Sequence, residues 1–460
     1  MTPKVSIIIP SLNVAPYIKE CLESVVNQTL KDIEIICVDA KSSDGTLEIL
    51  QEYAAKDSRI KLIISDIKSY GYQMNLGLKA ARGEYIGIVE SDDYIKLNMY
   101  ERLLGVAIEQ GCDVLKCDLE HFHTQNGQKV FRYGAICYDT SLYGKLFINK
   151  EENLEEHESA GALSKVNSKK EFPPYIKIIK DTWNMNQPGL YKREFLRKFA
   201  LFFHESAGAS YQDLGFWFMM QVAAKSVYFL KESYYLYRSD NENSSCNSTA
   251  KVYCLCEEYK FMEDFLKRDE GLYKKYVFVL RFRQFGSYMW NLNRVSDEFK
   301  LEFLLRFQRD FREIVDRGEV DRSYFEPWQL DILDRILENP YGFYENTYKK
   351  PLGAVERVKG HLAYKLGAAI LGAKCPYRTL TLPFRLIRII KEHRFEKSVL
   401  EVLYKQDSSL KPLSLESYGD YYEALKYKKH LSYRLGEALL KNPLTFLFRI
   451  PGIYRSFKKK

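Results

Sequence analysis

Between residues 4 and 118 the apolar pattern switches repeatedly between short continuous β-rich runs and longer stretches with a helical period, and this alternation constrains the fold more than any other feature. Unbroken apolar runs suit strands buried on both faces, and the helices between them provide the crossovers that parallel strands require. "VSIIIP" reads as a first strand. It is followed by "PYIKECLESVVNQT", a helix with Pro16 in its first turn and Ile18, Leu22, Val25 and Val26 on one stripe. "IEIICVD", "IKLIIS" and "EYIGIVE" read as the next three strands, separated by the helical stretches "DGTLEILQEYAA" and "YQMNLGLKAA". The predicted class is α/β, a wound and mostly parallel sheet flanked by helices.

In open sheets of this kind ligands gather beyond the carboxyl ends of the strands, where loops and helix N-termini converge. Strand one runs into Pro10, Ser11 and Asn13, strand two into Asp39, and strand four into Glu90, Ser91, Asp92 and Asp93. Asn13 also has a plain reading as a turn former, and Asp44 as a helix N-cap. Adjacent acids at a strand end repel one another and resist burial, so a cation or hydrogen-bond donors belong beside Asp92 and Asp93. The turn "PSLNVAPY" lacks G-x-G-x-x-G, and the chain has no G-x-x-x-x-G-K-[ST] loop, which argues against dinucleotide and P-loop sites.

Nine scattered cysteines without paired CxxC motifs predict reduced thiols and a reducing compartment. The first apolar stretch is too short for a signal peptide and ends at Pro10, and no window holds eighteen uninterrupted apolar residues; the expected location is the cytoplasm. The formal charge of +8 is concentrated near the end, where the last twenty residues hold Lys441, Arg449, Arg455, Lys458, Lys459 and Lys460 and no acid. Residues 250 to 345 read as aromatic-rich helices, and "ENPYGFYENTYKKPLG" as a linker. Beyond it, "HLAYKLGAAIL" from His361 is repeated as "HLSYRLGEALL" from His430, and each copy leads into a Pro-containing, basic, apolar stretch. Such stretches suit helices lying in a lipid interface against anionic headgroups; a small helical domain with a basic solvated face is the alternative.

"VSIIIPSLNVAPYIKECLESVVNQTLKDIEIICVDAKSSDGT" followed by "NLGLKAARGEYIGIVESDDYI" resembles the nucleotide-sugar domain of family 2 glycosyltransferases, which have the GT-A fold. The likeness is close over roughly the first 120 residues and looser over 183 to 245. It implies that Pro10 and Asn13 line a nucleotide pocket, that Asp39 meets the uracil and Asp92 the ribose, and that Asp93 holds Mn²⁺ or Mg²⁺. Hard cations of this kind take carboxylate and phosphate oxygens together. Asp39, Ala40, Lys41 and Ser42 stand where relatives have Asp-Asp-Gly-Ser, Met74 and Asn75 where many have Arg-Asn, and Glu90 where Asp is usual. Lys41 and Lys68 then become candidates for the missing positive charge at the donor.

Within "FFHESAGASYQDLGFWFMMQVAAK", Gln212 and Asp213 match the Glu-Asp pair whose acid serves as base in the family. A carboxylate among Tyr211, Phe216 and Trp217 gains basicity through desolvation; helix capping is the competing role. Glu205 reads as an acceptor contact or a loop brace, and His204 as structural. Arg238, in "YYLYRSDNENSS", either reaches the diphosphate or pairs with Asp240, and Trp183 either stacks on an acceptor sugar or fills core.

The predicted divisions are 1–120, the nucleotide-sugar half; 121–248, the acceptor and base half; 249–350, a helical extension; and 351–460, the duplicated region. The expected activity is metal-dependent, inverting transfer of one sugar from a nucleotide-sugar, UDP-linked, to a hydroxyl of a glycan or lipid-linked acceptor in cell-surface polysaccharide synthesis, on the cytoplasmic face of an anionic membrane and without a nucleic-acid partner. Gln-x-x-Arg-Trp and multiple spans, the marks of a processive synthase, are absent from the sequence. A non-catalytic carbohydrate- or membrane-binding protein with the same fold is the alternative, and a nucleotidyltransferase, whose Gly- and Lys-rich loop this sequence lacks, a more distant one.

Overall fold

The computed structural model describes residues 2–149, 171–209, 211–241, 251–349, 353–373, 376–443 and 445–458. The chain forms two compact units, Met1–Pro340 and Tyr341–Lys460. The predicted divisions at 120/121 and 248/249 therefore fall inside the first unit, the latter at residues outside those described.

The first unit opens with β1 (Val5–Ser11), α1 (Ala15–Val26), β2 (Ile33–Asp39), α2 (Thr46–Lys56), β3 (Ile60–Ile64), α3 (Tyr70–Ala80) and β4 (Tyr85–Ile88). The four strands pair in parallel in the order β3-β2-β1-β4. Every residue of β1, β2 and β4 is buried, as their apolar runs predict. Ser11 stands opposite Asp39 in register, so the polar ends of the first two strands are adjacent.

Beyond β4 the pattern is mixed. β5 (Tyr94–Ile95), α4 (Met99–Gln110), β6 (Val114–Gln125), β7 (Gln128–Gly134), β8 (Leu146–Ile148), α5 (Pro174–Lys180), β9 (Gly189–Lys192), α6 (Arg193–Lys198), α7 (Gln212–Ala223) and β10 (Ser226–Arg238) follow. β9 is inserted antiparallel between β4 and β6, and β10 runs parallel to β6 while pairing antiparallel with β5. Because Leu236 lies opposite Tyr94, the end of β10 is carried to the acidic residues just past β4.

Four helices complete the unit: α8 (Cys254–Leu266), α9 (Glu270–Arg294), α10 (Asp297–Asp316) and α11 (Pro327–Glu338). Phe285, Tyr288, Phe303, Phe307 and Phe311 interlock between α9 and α10, edge to face or tilted. α8 packs on α7 and α9 on α5, which ties the helices to the sheet's second half.

The second unit is helical: α12 (Pro340–Thr347), α13 (Ala354–Gly360), α14 (Leu362–Leu371), α15 (Pro376–Leu380), α16 (Leu382–Gln406), α17 (Tyr421–Lys429), α18 (Leu431–Lys441) and α19 (Phe446–Lys458). The repeat seen in the sequence forms α14 and α18, each the second helix of a hairpin, α13–α14 and α17–α18, and the copies pack on each other, α14 on α18 and α13 on α17. A Cβ on Gly367 would overlap the Ser432 carbonyl, and one on Gly436 the Ala363 carbonyl. Asp420 caps α13, accepting from the backbone N–H groups of Gly353, Ala354 and Val355 at 3.0 Å each.

All cysteines among the described residues are free thiols. Among the same residues no helix is long and apolar enough to cross a membrane.

Candidate active site

A cleft of about 1140 Å³ opens at the carboxyl ends of β1 and β4, and the acidic tip forms part of its wall. Glu90, Asp92, Asp93 and Asp213 all line it, although Asp213 lies more than a hundred residues away in sequence. Donors gathered from distant elements hold the tip. Tyr70, at the start of α3, donates to Glu90 Oε1 at 2.7 Å, and Gln187 Nε2 donates to the same oxygen at 2.7 Å. Burial pushes the Glu90 carboxyl up to about 7, against the pull of those two hydrogen bonds and with Asp92 and Asp213 adding repulsion.

Asp93 is almost wholly buried; its Oδ2 accepts from the Tyr235 hydroxyl and its Oδ1 from the Arg238 backbone N–H, both at 2.7 Å. Burial raises its pKa well above the usual carboxylate range, with Asp92 contributing. Asp92 is half-buried, and its Oδ2 accepts from Asn241 Nδ2 at 2.7 Å. The Arg238 guanidinium lies behind the tip, donating through Nε to the Asp92 carbonyl and through Nη2 to Glu20, each at 2.7 Å, with Tyr17 and Phe122 against its faces.

Also on the cleft, α7 starts from Tyr211, whose φ of 68° is left-handed and whose side chain makes no cap bond. Asp213 is thus in the first helical turn rather than at the cap. Burial raises its carboxyl to about 6, offset in part by the backbone N–H groups of Leu214 and of Asp213 itself. Behind it, His204 Nδ1 meets Glu258 Oε1 at 2.7 Å and the ring stacks on Phe261. The cleft is also lined by Arg283, Trp183, Tyr211 and Trp290 and by Lys180, which pairs with Asp181 at 3.2 Å. Arg283 packs over Trp217 and donates to the Thr182 carbonyl and Asn184 Oδ1.

Residues 6–164 match the model of Glycosyl transferase family 2, and residues 295–459 that of a domain of unknown function. The chain is 33% identical over 244 residues to the uncharacterized glycosyltransferase EpsJ of Bacillus subtilis, a match covering 53% of this chain and 63% of EpsJ. It is 26% identical over 369 residues to the cholesterol galactosyltransferase of Borreliella burgdorferi, covering 75% of this chain and 94% of that protein. With the glycosyltransferase GlyG of Streptococcus pneumoniae it shares 30% identity over 241 residues, covering 52% of this chain and 71% of GlyG. The chain belongs to glycosyltransferase family 2.

In this family 2 chain, with its GT-A sheet, the residues singled out in the sequence separate into those on the cleft and those behind it. Pro10, Lys68, Asp92, Asp93, Trp183 and Asp213 line the cleft. Asp39 is buried between the loops that follow β1 and β2, accepting from the Ser11 hydroxyl at 2.9 Å and from the Ser42 N–H at 2.7 Å. Asn13, at a left-handed φ of 54°, accepts from the Ser43 N–H at 2.9 Å, and Asp44 braces the start of α1 by accepting from Ala15 N at 2.9 Å. Lys41 points into solvent and pairs with Asp66 at 2.7 Å. Glu205 is exposed and accepts from Asn75 Nδ2 at 2.8 Å, which makes it a brace between α3 and the 203–208 loop. Arg238 is a buried clamp on the acidic tip, and its candidate segment lies outside the described residues from position 242 onward.

The sequence reading missed Tyr70, Gln187, Tyr235 and Asn241, which hold the acids, and the α9 wall of Arg283 and Trp290. Nothing local in the sequence marks the four clamping residues. For α9, the helical period announced a buried face without saying that it borders a cleft.

Proposed function

We propose that the protein is an inverting glycosyltransferase that moves one sugar from a nucleotide-sugar, UDP-linked, to a hydroxyl of a glycan or lipid-linked acceptor in cell-surface polysaccharide synthesis. The observation that carries this reading is the single cleft joining an acidic strand tip to a desolvated aspartate at the start of a helix. The donor diphosphate belongs at the tip, near Lys68. Gln187 Oε1 is buried and has no partner among the described residues, which suits a hydroxyl of the donor sugar.

Asp213 would take the proton of the acceptor hydroxyl. The acceptor oxygen then attacks the anomeric carbon from the face opposite the diphosphate, whose oxygen leaves with the electron pair of the breaking bond, so the configuration inverts. Trp183 and Trp290 offer flat faces for acceptor rings, and the kinship with a protein named cholesterol galactosyltransferase supports a lipid hydroxyl among the acceptors.

A divalent cation fits the donor chemistry: hard carboxylate oxygens line the cleft, and such ions commonly take one or two of them, completing their shell with phosphate and water oxygens. We give the cation-facing role expected of Asp93 to Asp92, because both Asp93 oxygens already accept from Tyr235 and Arg238 while Asp92 is the more exposed. When bound, the ion supplies positive charge to the departing diphosphate. The test is transfer by Asp213→Asn and donor binding by Asp92→Asn with and without Mn²⁺. Loss of transfer with intact UDP binding in the first variant, and loss of Mn²⁺-dependent binding in the second, is expected. Full transfer by Asp213→Asn overturns the reading.

A further inference from the structure

We infer that the duplicated hairpins of the second unit present two basic, apolar arms to one anionic lipid surface. The contacts between the copies are reciprocal. Gly367 of α14 meets Ser432 of α18, and Gly436 of α18 meets Ala363 of α14. A shift of 69 positions converts 363 into 432 and 367 into 436, so the same two positions touch in both directions. Reciprocity of this kind is the signature of an approximate twofold axis, here within one chain. Small residues four apart on each helix let the backbones approach to contact.

Each hairpin is followed by an arm. Tyr377, Leu380, Phe384 and Ile387 recur at helical spacing over α15 and α16 and are 75%, 80%, 76% and 52% exposed. Hydrogen bonds from Thr381 N to the Tyr377 carbonyl and from Arg385 N to the Thr381 carbonyl, each 3.1 Å, carry the helix through the junction. No residue of α16 is buried. In the other arm, α19, Phe448 is 87% exposed, and Tyr454 and Phe457 are also exposed.

The charge says what covers these arms. Residues 376–391 contain Arg378, Arg385, Lys391 and Arg388, the last paired with Glu392 at 2.7 Å, and no acid, and residues 445–458 contain Arg449, Arg455 and Lys458 and no acid. Exposed Phe and Leu interleaved with Arg and Lys match a bilayer interface, where rings enter the acyl boundary and cations meet anionic headgroups. The rest of α16 carries Glu392, Glu396 and Glu401 among its apolar residues, and we assign lipid contact only to the acid-free part. Elements exchanged by a twofold axis lie at the same level along it, so a flat surface perpendicular to the axis can touch both arms together. Two weak contacts on one body then act as a strong one.

The inference stands apart from the proposed transfer reaction and is tested on the full chain with vesicles of phosphatidylglycerol and of phosphatidylcholine. Binding to the anionic vesicles alone, weakened by high salt, is expected. Phe384→Glu and Phe448→Glu should each lower that binding roughly tenfold, and together abolish it, while UDP binding stays unchanged. Absence of binding to phosphatidylglycerol, or equal binding by the double variant, overturns the inference. So does a dimer in sedimentation that the same substitutions dissociate, since the arms would then cover a second copy of the chain.

Discussion

Asp213 carries the sharpest consequences at the scale of single residues. With its carboxyl near 6, transfer should rise as pH passes through about 6 and level off above it, a limb that initial rates between pH 5 and 8 will show. The same shift bears on stability. A carboxyl raised on folding contributes stability that is fully present below the unfolded pKa of about 4 and is lost as pH rises through the folded value. Asp213→Asn, which cannot ionise, should therefore be more stable than the parent by about 1–3 kcal/mol at pH 7.5, with the difference vanishing near pH 4 in urea unfolding. Asp213 was singled out in the sequence through its match, with Gln212, to the family's Glu-Asp pair, and it lines the cleft. The partners of Glu90 were not legible, since Tyr70 and Gln187 lie 20 and 97 positions away and carry no local mark.

Elements fix where these residues stand, and two of them do so by close contact. Gly71 in the first turn of α3 lies against the backbone of the 203–208 loop, where a Cβ would overlap the His204 carbonyl. Backbone cannot rotate aside as a side chain can, so Gly71→Ala should cost about 1–3 kcal/mol in thermal or urea unfolding and weaken UDP binding by displacing Tyr70 from Glu90. The end of β10 is the second case. Arg238→Ala leaves the Asp92 carbonyl without its buried donor and the part-exposed Glu20 with Lys129 as its remaining partner, and should cost about 1–3 kcal/mol; Arg238→Lys should recover only part, because an ammonium cannot reproduce the planar fork. The strands buried on both faces, β1, β2 and β4, were readable as unbroken apolar runs. β5 and β9 were not, for they are two and four residues long and owe their strand form to the neighbours they pair with.

For the molecule as a whole, two compact units imply two separable responses to damage. Gly436→Leu forces a side chain into the α18–α14 contact, so limited proteolysis should cut within residues 341–460 first while UDP binding by the remainder persists. The duplication was visible in the sequence, but the face-to-face packing of its copies was not, because a repeat reports similarity and not mutual contact. Within the first unit the cleft is built from elements far apart in the chain. Glu90, Asp92 and Asp93 come from just past β4 and Asp213 from the start of α7, whereas Arg283 and Trp290 come from α9, nearly two hundred residues after the first of them. Substitutions along α9 can therefore reshape one side of the cleft without touching the hydrogen bonds that hold the acids on the other.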